Sequence, residues 1–263
     1  MSLWILFAFI FGAVVGSFLN VLVLRYNTGR MFRGRSACGV CGRILSPIDL
    51  FPILSFLFLG GKCRYCETKI SPQYPLVEFA TAIAFALVVW KGSMFGDLAV
   101  LFILFGWVIS ALLIAIATYD ILHKIIPDGL VYTFDVVVFV WVFILAGLSV
   151  DPLMLGIIIV NGVVVALPFA LLWLLSRGRW MGLGDAKLAL GIGFLFGISG
   201  GFTALILAVW AGAIVSIALL AIGKLSGKHG LTLKSEIPFG PFLVLATLFV
   251  FLSGIDLFSL LTL

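Results

Sequence analysis

The feature that limits this chain most is a series of apolar runs too long for the core of a soluble domain. They cover residues 3–24, 76–90, 98–119, 129–148, 152–175, 188–198, 202–222 and 241–263. A helix needs about 20 predominantly apolar residues to cross a bilayer, and in lipid each backbone polar group must find its partner within the protein. The runs therefore predict an all-α polytopic membrane protein with about eight transmembrane helices. Composition agrees, since 63% of the residues are hydrophobic and only 10% charged, against about 25% charged in soluble domains. Residues 188–198 are too few to cross alone in a straight line. That run is expected to tilt, to extend through Asp185, or to form half of a re-entrant hairpin. Residues 3–24 lack a basic n-region and carry the polar Asn20, so they read as a retained first helix and not as a cleavable signal.

Basic residues between the runs give an orientation. With eight crossings and an outside N-terminus, Arg25, Arg30, Arg33, Arg35, Arg43, Lys62, Arg64, Lys69, Lys124, Arg177, Arg179, Lys187, Lys224, Lys228 and Lys234 all fall on the cytoplasmic side. Lys91 alone falls opposite. One crossing more or fewer would scatter the basic residues over both faces. Both termini are thus expected outside, and the net charge of +5 follows from the bias without a nucleic-acid partner.

All four cysteines lie in the first connection, as "CGVC" and "CRYC": Cys38, Cys41, Cys63 and Cys66. Two C-x-x-C pairs at this separation suit a zinc ribbon. In a reducing cytoplasm a thiolate-metal site is the common alternative to a disulfide, with a redox pair or unmetallated thiols as the other readings. A closed four-thiolate zinc site would fold the loop and leave no coordination position for chemistry. Residues 44–61 between the knuckles are apolar but broken by Pro47, Asp49 and Pro52. They read as a hairpin or a pair of short helices on the membrane surface, clipped at the base by the metal. The expected organisation is a first transmembrane helix over 1–24, a cytoplasmic zinc-ribbon-like insert over 25–75, and a multi-helix membrane domain over 76–263.

The acids need separate explanations. Asp128 follows Pro127 at the start of a helix, where an acid complements exposed N–H groups and the macrodipole. Asp120 ends an apolar run, at a helix C-terminus where the dipole disfavours an anion. Asp185 sits in "MGLGDAKL", on the same cytoplasmic side, where Gly182 and Gly184 let a backbone or a substrate strand approach closely. Two like-charged neighbours cannot both ionise cheaply, so such a pair would share a proton as an aspartic-protease dyad does. From the residues alone, a proton-coupled transporter and a plain helix-packing role stay open beside this reading. Asp135, seven residues after Asp128 on the same helix face, fits either a polar path or a buried acid bonded to a neighbouring helix. His123 and His229 are lone histidines that read as solvated or phosphate-facing rather than as ligands.

At this point the chain resembles the bacterial type IV prepilin peptidases, also called leader peptidases/N-methyltransferases. The resemblance runs over nearly the whole length: "GSFLNVLVLR", both C-x-x-C pairs, "ISPQYPLVE", the aspartate and "IPD" of the third connection, "MGLGDAKL" and "PFGPFL". It implies catalytic roles for Asp120 and Asp185, the latter in a G-x-G-D motif, supported by Gly182, Gly184, Lys187 and Asp128. It also implies zinc on Cys38, Cys41, Cys63 and Cys66, prepilin or pseudopilin substrates, an inner-membrane location, and S-adenosylmethionine as methyl donor if the second activity is retained. Other G-x-G-D intramembrane proteases satisfy "TYD" and "MGLGD", but the cysteine insert and "PFGPFL" argue against them. Three departures from the family pattern bear on substrate handling or methylation and leave the two aspartates untouched. Arg179 and Trp180 precede Met181, Gln73 stands where an Arg is usual, and Asp49-Leu50 replaces Asp-Asn. A basic leader approaching this basic face needs compensating acids, and Asp49, Glu67 and Glu236 are the candidates.

Overall fold

The computed structural model describes residues 2–28, 34–145, 152–225 and 237–261, which divide by contact into two compact units, Met1–Thr118 and Tyr119–Leu263. Every regular element among the described residues is helical.

In the first unit, α1 (Ser2–Arg25) is followed by the cysteine insert, which holds a 3-10 turn at Pro47–Leu50 and α2 (Leu54–Phe58). Helix α3 (Gln73–Gly92) then packs along α1. Gly12 and Gly16 make that packing close: a Cβ on Gly12 would sit 2.7 Å from the Thr81 carbonyl oxygen, and one on Gly16 2.6 Å from Glu78 Cα. Small residues four apart let helix backbones touch in lipid, where there is no hydrophobic drive between helices. One turn further, the buried Asn20 donates from Nδ2 to the Tyr74 carbonyl at 3.1 Å. Helix α4 (Ala99–His123) adds Trp107, which donates to the Phe85 carbonyl at 3.1 Å and stacks on the Phe85 ring. Helix α3 thus shares a unit with α1 and the insert, although the sequence grouped it with the later helices.

The second unit takes the last turn of α4 together with α5 (Asp128–Leu145), α6 (Pro152–Ser176), α7 (Leu183–Leu225), α8 (Gly240–Ser253) and α9 (Leu257–Leu261). Helix α7 packs against α5, α6, α8 and α9. Its 43 residues would reach roughly 65 Å if straight, about twice the thickness of a hydrocarbon core. It is instead broken at Gly197, whose φ of 72° and ψ of −169° are open to glycine and costly for other residues. The two runs at 188–198 and 202–222 are the two arms of this broken helix, and the first arm does extend through Asp185. Beyond the break, Ser199 and Thr203 donate to the Asp256 carboxylate, which also accepts the Phe258 N–H and so ties α7 to the start of α9.

Among the described residues, six helices are long and apolar enough to cross a membrane, and Gly240–Ser253 is a shorter apolar helix. About eight spans were expected; the runs at 188–198 and 202–222 share α7, and the run at 241–263 is broken at the left-handed Gly254 into the short helices α8 and α9. The chain is an integral membrane protein.

Candidate active site

Asp120 and Asp185 both belong to the second unit and are both buried. Asp120 lies in the last turn of α4, where the sequence left it opposed by the helix dipole. The structure supplies the compensation: Asp120 Oδ2 accepts the backbone N–H of Gly240 at 3.0 Å. Gly240 is the first residue of α8, so the carboxylate at one helix's C-terminus sits on the N-terminus of another, where free N–H groups favour an anion. The contact is too close for a side chain. A Cβ on Gly240 would fall 2.6 Å from Asp120 Oδ2.

Asp185 stands in the first turn of α7 and is 7% exposed. Its Oδ1 has no hydrogen-bond partner. Asp120 is close enough to act on it electrostatically. The two glycines of G-x-G-D do different work. Gly184 lets the α7 start press on the α4–α5 connection, since a Cβ there would lie 2.7 Å from Ile126 Cβ. Gly182 is exposed, and a Cβ on it would stand 4.0 Å from Asp185 Oδ2, so its missing side chain leaves the approach to that carboxylate open.

Asp128 and Asp135 have partners of their own on α7. Asp128 accepts from Lys187 Nζ at 2.7 Å, and Lys187 also covers the Tyr132 ring at 5.1 Å, so the two clamp the start of α5 to α7. Asp135 is buried on α5 with its Oδ1 unpartnered, against Gly191 of α7, whose backbone N–H faces the carboxylate. A Cβ at Gly191 would run into Asp135 Oδ1. The acid therefore packs against a neighbouring helix. His123 packs its ring on Tyr119.

In the first unit the four cysteine sulfurs lie within 4.8 Å of one another, with Cys38 Sγ and Cys66 Sγ 3.8 Å apart. Tetrahedral zinc with sulfur at about 2.3 Å needs sulfurs roughly 3.8 Å apart, so the donor set fits this metal. Each knuckle closes on its own turn: Gly42 N–H donates to the Cys38 carbonyl and Glu67 N–H to the Cys63 carbonyl, both at 2.9 Å. Hydrogen bonding to the Thr68 side chain and backbone brings the Cys66 thiol down to about 6, while burial and the neighbouring Cys38 and Cys66 push Cys41 up to about 11, so the four thiols do not ionise alike until a metal draws the protons off.

Of the three acids considered for leader contact, Asp49 is committed elsewhere. Its carboxylate accepts Ser46 N–H at 3.1 Å, Ser46 Oγ at 2.7 Å, Arg64 Nε at 2.6 Å and the Tyr65 hydroxyl at 3.1 Å. These bonds hold its carboxyl at about 2 and join the 3-10 turn to the second knuckle. Glu67 is exposed, at a positive φ of 56°. Glu236 and His229 lie outside the described residues.

Two family models match the chain: the bacterial peptidase A24 N-terminal domain over residues 10–92, and the type IV leader peptidase family over 107–217. The second match contains both aspartates. The chain belongs to the type IV leader peptidase family. Among relatives, it is 32% identical over 253 residues to the prepilin leader peptidase/N-methyltransferase of Bacillus subtilis, covering 95% of each chain. It is 30% identical to the protein of the same name in Pseudomonas aeruginosa, over 92% of this chain and 88% of that one. It is 32% identical to the type 4 prepilin-like proteins leader peptide-processing enzyme of Escherichia coli O78:H11, over 89% and 88% respectively. No solved structure matches. What sequence reasoning missed in this leader peptidase is the part played by Gly240. "PFGPFL" was visible as a motif, but nothing in the sequence connects it to an aspartate 120 residues earlier.

Proposed function

We propose that this chain is a membrane aspartic endopeptidase that removes the short basic leader from type IV prepilins or pseudopilins at the cytoplasmic face of the bacterial inner membrane. The observation that carries the reading is the pairing of Asp120, tethered by Gly240, with Asp185, whose Oδ1 is left open. Two carboxylates sharing one proton act as a unit. The dyad takes a proton from the attacking water and delivers one to the scissile carbonyl, and the two carboxyl groups exchange roles as the tetrahedral intermediate collapses. Both acids stand at helix ends and not at helix centres, so a water admitted beside the scissile bond has a short path to them while an apolar substrate helix stays in lipid.

Zinc on Cys38, Cys41, Cys63 and Cys66 would have all four positions filled by thiolates and would serve the insert's fold. Leader contact falls to Glu67 among the described candidates, because the Asp49 oxygens are occupied. N-methylation of the new N-terminal residue with S-adenosylmethionine is the second activity, supported by the names of the relatives. S-adenosylmethionine would supply an electrophilic methyl group to the freed amine.

The decisive test is to coexpress the chain with a pilin-like protein and read the intact mass and N-terminus of the product. Loss of the leader is expected, with a further 14 Da if methylation follows. An unprocessed substrate beside a folded, membrane-inserted chain overturns the proposal.

A further inference from the structure

The insert between the zinc knuckles carries a feature that cleavage chemistry does not use. Ile53, a β-branched residue, has φ 63° and ψ −51°, and Leu54 N–H donates to the Pro52 carbonyl at 2.6 Å. This is a γ-turn of the rare, strained hand, disfavoured further by branching at Cβ. Such a backbone persists only where its surroundings hold it. Here the Ile53 N–H donates to Glu78 Oε2 at 2.7 Å. Glu78 is itself buried, in the second turn of α3, one of the membrane-spanning helices.

That bond fixes the depth of the hairpin. Glu78 lies roughly 7 Å along the axis from Gln73, the first residue of the span. The turn at Ile53 is held within one side chain's length of it, so the hairpin lies level with the first turns of α3 and not beyond the helix start. Around the turn, large apolar side chains face outward with no protein over them. Phe58 is 86% exposed and Phe51 61%, with Ile48, Leu54 and Leu57 beside them. In water such a patch would be a liability. At this depth it matches the 5–10 Å to which interfacial helices sink their apolar faces. Arg35, Lys62 and Lys69 are exposed on the same insert, where anionic headgroups would meet them.

We propose that the segment Pro47–Phe58 is a membrane-inserted paddle whose apolar face is covered by lipid acyl chains, with the Glu78 latch on Ile53 setting its depth. The sequence placed this segment on the bilayer surface; the latch puts it within the bilayer. The metal site then stands over a wedge rooted in lipid, and the insert is fixed at both its base and its tip. The inference does not depend on the cleavage reading.

The test places p-benzoylphenylalanine at position 58, or at exposed Glu67 as control, in the full chain. Each variant is reconstituted in phosphatidylethanolamine–phosphatidylglycerol vesicles, irradiated and read by intact mass. About tenfold more phospholipid adduct is expected at 58 than at 67, the ratio given by ~1.4 kcal/mol of preference for lipid. In the position-58 background, Glu78→Gln keeps an acceptor for the Ile53 N–H and should preserve the adduct, whereas Glu78→Ala should lower it severalfold. Equal adduct at 58 and 67 overturns the proposal. So does a cross-link from 58 into a coexpressed pilin-like substrate or into another part of the chain in place of lipid.

Discussion

Asp49 in the first unit, half-buried with 3% of its side chain exposed, and Asp185 in the second, a buried residue, both keep their carboxylates largely from solvent. They are treated in opposite ways. Asp49 accepts four hydrogen bonds, one of them from a guanidinium. Asp185 has one oxygen with no partner and a second carboxylate for a neighbour. An unpaired buried polar group costs about 1–3 kcal/mol, more when charged, so a fold needs a reason to leave one. A saturated acid is spent on holding the chain together. An under-bonded acid beside another acid has capacity left for a water and a substrate, and the difference separates structural from chemical carboxylates when burial alone does not.

The comparison breaks most sharply at the dyad. Asp120→Asn or Asp185→Asn should each lower cleavage by up to about 10⁴-fold, the upper end of general acid–base catalysis, with the melting temperature of the purified protein unchanged. Robust turnover by either variant would return the site to a packing role. Gly240→Ala should come next, at about 10²-fold on kcat, because the added Cβ would displace a carboxylate oxygen now 2.6 Å from its place. Asp120 keeps its carboxyl group in that variant. A Gly240→Ala enzyme as fast as the parent would mean that the tether does not position the dyad.

The first unit should respond in stability and not in turnover. Purified protein is expected to carry about one zinc per chain by elemental analysis, lost in a Cys38→Ser/Cys63→Ser variant together with the protease resistance of the insert. The pH profile of cleavage by the surviving enzyme should keep the parent's shape. A metal-free preparation with an equally resistant insert would remove zinc from the structure.

Much of this was open to a reader of the sequence. Membrane class followed from the length of the apolar runs, and the four-cysteine cluster of the insert from the C-x-x-C spacing, because both signals are local. The break in α7 was half legible: residues 188–198 were too short to cross alone, and the structure resolves the difficulty with a positive φ at Gly197, one of many glycines in the chain. The pairing of Asp120 with Gly240 and the latch from Glu78 to Ile53 were not legible. Each joins residues far apart in the chain through a backbone N–H, a group every residue but proline carries and no sequence pattern marks. Asp49 misled for a related reason. A loop carboxylate among basic residues reads as an open acid, and only the fold shows Ser46, Arg64 and Tyr65 already turned onto it.

The smallest expected effect tests whether Asp49 is structural in the way its bonds imply. Its carboxyl is held at about 2 in the folded insert, against about 3.9 in an unfolded chain. A depressed carboxylate contributes stability that is complete above the unfolded value and is lost as pH falls through the folded one. Asp49→Asn should therefore destabilise the insert at pH 6 by about 1 kcal/mol, a figure kept low because its Arg64 partner is 46% exposed and screened by solvent. The gap between parent and variant should narrow from pH 5 downward and approach zero near pH 2. Acid also protonates thiolates and releases metal, but it does so in both proteins, so the difference between them isolates Asp49. Amide exchange around Ser46 and Tyr65 measures that difference directly, and cleavage should stay within about twofold of the parent throughout. A gap of equal size at pH 6 and pH 3 would show that the Asn variant loses packing and not charge. Asp49 would then hold the insert by shape, and its contrast with Asp185 would rest on hydrogen-bond count alone.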